Sequence, residues 1–182
     1  MLDFQILTKY WPQFMEGFIH TIQISLISLV CSFILGTLIA VFRIAPFKPL
    51  NYIGTAYVEF IRNIPLLLVV FLFYLGPQVI HQTLDPFVAG TLGLTVYTSA
   101  FIAEAIRAGI LSVPKGQSEA ARSSGLTYNQ TMRHVILPQA IKIVIPPLGN
   151  QFINLVKKLF DPECHCRDGF NVLRGYRQFR NL

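Results

Sequence analysis

Few side chains in this 182-residue sequence are spaced for chemistry. Three acid–base pairs stand one helical turn apart: Glu59 with Arg62, Glu104 with Arg107, and Glu119 with Arg122. Residues so spaced meet on one helix face, and a plain ion pair is the simplest use of them. Arg62 pairs with Glu59 on that reading, or its side chain snorkels to a membrane surface. Glu104 lies near the end of an apolar segment, where an ionisable group marks either an interfacial ion pair or a functional site. Cys164, His165 and Cys166 are consecutive. A zinc clip needs ligands two to four residues apart and a second pair, so no metal site is expected. The sequence has no nucleophile-and-base pair, no phosphate loop, no HExxH and no GxSxG. An intramembrane enzyme therefore lacks its catalytic set, and neither enzymatic activity nor a cofactor is expected.

The long polar segment 115–138, KGQSEAARSSGLTYNQTMRHVILP, lies between two very apolar regions. Its pattern predicts two short helices joined at Gly125. The first covers 116–124 and carries Glu119, Ala120, Ala121 and Arg122, with no bulky residue. Gly125 supplies the left-handed turn that ends it. Thr127 followed three residues later by Gln130 is a capping box that starts the second. Pro138 marks the start of the next long helix. By itself this is an amphipathic loop between membrane helices. Its residues Glu119, Ala120, Ala121, Gly125, Ile136, Leu137 and Pro138, with the flanks 110–117 and Gln139–Ala140, resemble the cytoplasmic coupling loop of ABC importer permeases. The longer pattern is similar to the polar amino-acid uptake branch. The resemblance implies that Glu119, Ala120, Ala121, Arg122, Gly125 and Pro138 belong to an element that fits a cleft on an ATPase subunit.

Such a loop must be held by membrane helices. The mean hydropathy is +0.51 and 53% of residues are hydrophobic, which indicates a membrane protein. Four apolar spans are expected, at about 17–42, 56–75, 87–109 and 135–156. The first is free of charge and long enough for about 30 Å of hydrocarbon. Its Thr21, Gln23, Ser25, Ser28, Ser32 and Thr37 are expected to bond to backbone or to a neighbouring helix. Pro65 falls inside the second span, which a membrane helix tolerates when neighbours satisfy the freed carbonyl. The stretches 59–67 (EFIRNIPLL) and 103–110 (AEAIRAGI) again resemble amino-acid permeases. The fourth span holds adjacent Pro146 and Pro147, then Asn150 and Gln151. Each proline lacks an N–H, so a broken helix is expected there. The resemblance makes Glu104, Pro146, Pro147, Asn150 and Gln151 candidates for the translocation path.

The formal net charge of +6 is spread between apolar segments, which excludes a nucleic-acid patch. Arg43, Lys48 and Arg62 flank the first connection. Arg107, Lys115, Arg122, Arg133 and Lys142 flank the third, and the second has neither Lys nor Arg. The positive-inside rule then places the N-terminus outside and the 115–138 loop in the cytoplasm. The N-terminal segment has no cleavable signal pattern.

After Lys158 the sequence turns polar. Reading the codons from Lys157 one base later permits Lys-Asn-Ser-Leu, which resembles the family's continuation into a fifth span. Residues 158–182 are accordingly expected to be a non-native, poorly ordered tail produced by a frame shift. The resemblance covers residues 1–157. It implies an all-α integral membrane protein with four of the usual five transmembrane helices and a cytoplasmic coupling helix pair. It also implies a cell-membrane location and an alternating-access mechanism. The implied partners are an ABC ATPase, a second permease subunit, identical or not, an extracellular amino-acid-binding protein and an amino-acid substrate. The alternative is a non-transporting, truncated or regulatory fragment that only docks the ATPase.

Overall fold

The computed structural model describes residues 11–79 and 81–160. The tail expected over 158–182 and the Cys164–Cys166 run lie outside them, apart from the end of the last helix. Helix α1, Trp11–Ile44, runs unbroken through the first apolar segment. Its hydroxyls bond within the helix, Thr21 to the Gly17 carbonyl at 2.8 Å, Ser25 to Thr21 at 2.8 Å and Thr37 to Phe33 at 2.7 Å. Ser28 instead donates across to the Thr91 carbonyl at 3.3 Å. Gln23 is exposed.

Helix α2, Lys48–Arg62, and helix α3, Leu66–Val79, meet at a bend of 103°. The single span predicted over 56–75 is therefore two helices. The cause is Pro65, which disfavours helical backbone at Ile64. Asn63 closes α2 by donating its N–H and its side-chain amide to the Glu59 carbonyl, at 3.3 and 2.7 Å. The Pro65 carbonyl opens α3 by accepting from Leu68 at 3.0 Å and Val69 at 3.4 Å.

Helix α4, Pro86–Leu111, is the centre of the molecule. Asp85 caps it by accepting from the Phe87 N–H at 2.8 Å, and Pro86 fills the first position, where no N–H is needed. Its buried residues are mostly small: Ala89, Gly90, Gly93, Ser99, Ala100, Ala103 and Gly109. Small side chains let helices approach closely without a large apolar payload. A Cβ at Gly36 of α1 would stand 2.8 Å from the Ile102 side chain, and one at Gly93 would stand 2.9 Å from the Val70 backbone. Ile39, Ala40, Val58, Ile61, Ala100 and Ala103 form one buried cluster, and Leu66, Val70, Leu94 and Leu155 a second.

Two short helices, α5 (Lys115–Ser123) and α6 (Tyr128–Thr131), follow α4. A π-helical stretch, Met132–Ile136, then leads into α7, Leu137–Phe160. Helix α7 is continuous through Pro146 and Pro147, so the break expected there is absent. The prolines remove two intrahelical hydrogen bonds, yet packing on α4 through Val144 and Leu155 continues on either side of them. Among the described residues two helices, Met15–Ile44 within α1 and α4 itself, are long and apolar enough to cross a membrane, and the bent α2–α3 pair makes a third if it is one span. Helix α7 is not among them, because its prolines, amides and Lys142 dilute its apolar residues.

Candidate functional site

The segment 115–138 folds by local rules. Helix α5 ends at Gly125, whose φ of +82° is the left-handed conformation that glycine adopts without a Cβ penalty. Gly125 N–H donates to the Arg122 carbonyl at 2.9 Å, and Leu126 N–H to the Ala121 carbonyl at 3.1 Å. Those two bonds are a Schellman motif. The capping box is present too. Thr127 N–H donates to Gln130 Oε1 at 2.9 Å, and Gln130 N–H donates to Thr127 Oγ1 at 3.4 Å. Turn and cap fix the angle between α5 and α6 within five residues.

This leaves a small, polar, outward ridge. Glu119, Ala120, Arg122 and Pro138 are exposed, while Ala121 is buried against the rest of the element. Among the described residues neither Glu119 nor Arg122 forms an ion pair, and both side chains are exposed. The element is also tied to α7. Gln139 Nε2 donates to Gln117 Oε1 at 3.3 Å and to the Val135 carbonyl at 3.0 Å. The Leu137 N–H reaches five residues back to the Met132 carbonyl, which marks the π turn. Single π turns often occur at functional sites. Neither the glutamine bridge nor the π turn was expected from the sequence. Two Gln residues 22 positions apart give no periodic signal, and one surplus residue in a turn is invisible to a 3.6-residue pattern.

Glu104 is the hub of a second group. It accepts from Arg107 Nη2 at 2.6 Å, pairs with Arg43 Nη1, and lies 3.8 Å from Arg62 Nη1. The local Glu104–Arg107 pair is thus formed, but Arg62 turns to Glu104 and not to Glu59. The guanidinium of Arg62 also sits 5.4 Å from the Phe101 ring centre. Arg43 was not singled out as a site residue. Its stem packs where Gly54 has no side chain, and its 6% side-chain exposure makes it a buried charge. The available signal was its place as the second-last residue of an apolar span. Asn51 Nδ2 donates to its carbonyl.

The remaining candidates are on α7. Pro146, Pro147 and Asn150 are exposed and Gln151 is half-buried. Among the described residues, none of them bonds to Glu104, so the five candidate path residues do not form one cluster.

The fold therefore defines an all-α membrane protein, with a helix–turn–helix element carried between two of its long helices. The chain belongs to the binding-protein-dependent transport system inner membrane component family, whose pattern matches residues 12–163. These are transport components and not enzymes. The chain is 65% identical over 156 residues to "Probable glutamine ABC transporter permease protein GlnM" of Bacillus subtilis, covering 86% of this chain and 72% of that protein. It is 42% identical to the L-cystine transport system permease protein TcyB of the same organism, over 82% of this chain and 64% of the relative, just under two thirds of that relative's length. Its fold is similar to a crystal structure of an amino acid ABC transporter with histidines, at a TM-score of 0.81 and 40% identity, covering 87% of this chain and 74% of that one. It is also similar to inward-facing MetNI, a methionine ABC transporter, at a TM-score of 0.61 and 28% identity, over 76% and 67% of the two chains.

Proposed function

We propose that this chain is the membrane-spanning permease subunit of an ATP-driven importer of polar amino acids. In this reading the 115–138 element docks on an ABC ATPase in the cytoplasm. The observation that carries it is the exposed Glu119–Ala120–Arg122 ridge, held by a Schellman turn and a capping box. A ridge that small fits a narrow cleft, and its exposed charges give the fit direction. The relatives are permease components, which favours transport over a fragment that only docks. The other partners are a second permease subunit and an extracellular amino-acid-binding protein.

Mechanically, ATP-driven closure of the ATPase pair displaces α5. The Gln117–Gln139 bridge and the π turn pass that displacement to the start of α7. Helix α7 packs on α4 at Gly109 and Val144, so the two move against one another. The polar residues of α7, Asn150 and Gln151 beside Pro146 and Pro147, then line an alternately open path, and Glu104 holds the inner end of α4 in place. The N-terminus lies outside and the charged connections inside, as the arginine and lysine distribution favours.

The test is a single cysteine at Ala120 in an otherwise cysteine-free chain, expressed with its ATPase and binding protein. Ala120→Cys should cross-link to a cysteine placed in the ATPase cleft and resist a membrane-impermeant thiol reagent in intact cells. Labelling from outside, with no cross-link, would overturn the assignment.

A further inference from the structure

We propose that the arginine group around Glu104 binds the phosphodiester headgroup of an anionic phospholipid, a site separate from the coupling element. One carboxylate there serves three guanidiniums, Arg43, Arg62 and Arg107. Three positive charges against one negative leave an excess of two. Among the described residues, every ion pair of these arginines ends on Glu104. Glu59, the nearest acid along α2, pairs with no described residue. A cationic excess in a partly buried place is costly unless an anion completes it.

The three arginines are not equivalent. Arg43 is 6% exposed and acts as the fixed anchor of Glu104. Arg62 and Arg107 are 42% and 32% exposed, so these two are within reach of a ligand. Arg62 makes no hydrogen bond to a described residue, and its carboxylate contact is loose at 3.8 Å. A guanidinium has five N–H donors in a planar fork. That fork matches phosphate oxygens, which a point-charge ammonium does not.

The level of the group identifies the anion. Arg43 is the second-last residue of the apolar Met15–Ile44 span, and Arg107 lies one turn before the end of Pro86–Leu111. Both spans end on the same side of the helix bundle, which in the proposed topology is the level of a lipid headgroup. Helix α2 crosses there, bent 103° from α3. Its Gly54, Val58 and Ile61 face the core, while Tyr52, Ile53 and Phe60 project from the other side and stay exposed. Free phosphate needs only the guanidiniums. An anionic lipid uses the cations for its headgroup and this apolar face for its upper acyl chains.

The experiment is native mass spectrometry of the purified full chain in detergent, with phosphatidylglycerol, phosphatidylcholine or inorganic phosphate added. Phosphatidylglycerol should be retained in preference to phosphatidylcholine. Each exposed arginine removed should weaken retention about fivefold, the effect of one cation near an anionic headgroup. Arg62→Gln should show that loss, and the Arg62→Gln/Arg107→Gln double variant a larger one. Arg62→Lys should fall between parent and Arg62→Gln. Arg133→Gln, an exposed arginine in the π stretch, should change nothing. Because Arg62 makes no hydrogen bond to a described residue and is half-exposed, Arg62→Gln should lower the melting temperature less than Glu104→Gln does. Equal retention of both lipids overturns the proposal. So does phosphate binding that phosphatidylglycerol cannot displace, or equal losses in Arg62→Gln and Arg133→Gln.

Discussion

Replacing Gly109 with alanine probes the α4–α7 joint through which the proposed coupling would pass. A Cβ there would overlap Cγ2 of Val144, stand 3.4 Å from its Cβ, and lie 3.6 Å from the Ala140 carbonyl oxygen. Val144 is 6% exposed and Ala140 1%. Valine in a helix has one strongly preferred rotamer, so Cγ2 has nowhere to swing. Helices α4 and α7 must part to admit the methyl group. Overpacking of this kind costs about 1–3 kcal/mol. At about 2–4 °C per kcal/mol for a chain of this size, the melting temperature should fall by roughly 2–12 °C. The assay is thermal unfolding of the detergent-purified chain, followed by a thiol-reactive dye or by loss of the monodisperse peak. Val144→Ala removes the overlapping atom. By itself it should destabilise by about 2 kcal/mol through lost packing. Combined with Gly109→Ala it should cost less than the sum, because the new methyl group fills the vacated space. Strict additivity, or a Gly109→Ala chain that melts with the parent, would show that the α4–α7 contact is not as close as described.

Gly125→Val should cost about 1–3 kcal/mol locally, because a β-branched residue resists positive φ. Nothing lies within 4 Å of a Cβ there, so Gly125→Asn, which tolerates that backbone, should keep ATPase co-purification and uptake while Gly125→Val loses both; equal behaviour of the two would remove the turn from the coupling route. Glu104→Gln leaves the buried Arg43 without its counter-charge and should cost about 3 kcal/mol, read as lower yield and melting temperature, with Glu104→Asp milder; a parental melting temperature would count against the ion-pair hub. Single cysteines at Gln78 and Ser118 in a cysteine-free chain should label from outside the cell at Gln78 only, and the reverse pattern would invert the proposed topology.

What could be read from the sequence was what is decided within a few residues. Gly125, Thr127 and Gln130 form their turn and cap through neighbours in the chain, so residue types alone predict the bonds that are found. Prolines show where this fails. Pro65 stands between two helices at a sharp bend, whereas Pro146 and Pro147 lie inside one continuous helix. Residue type is the same in both places, and tertiary packing decides the outcome. The Glu104 group shows the same limit. The partner three residues away was legible, but Arg43 is 61 positions distant and Arg62 is brought in by the crossing of α2 over α4. An ionic hub assembled from three helices has no local pattern.

Gly54 carries a further consequence. A Cβ at this position would lie 2.8 Å from Cγ of Arg43 and 3.4 Å from the Ile39 carbonyl oxygen. The arginine stem therefore occupies the volume that a side chain at 54 would need, and that placement delivers its guanidinium to Glu104. As the gene drifts, positions 43, 54 and 104 cannot vary in arbitrary order. Enlarging residue 54 first displaces the arginine and strands the carboxylate, while neutralising the arginine first opens a cavity that a larger residue 54 can fill. Viable mutational paths through this corner are ordered, with charge loss at 43 and 104 preceding growth at 54.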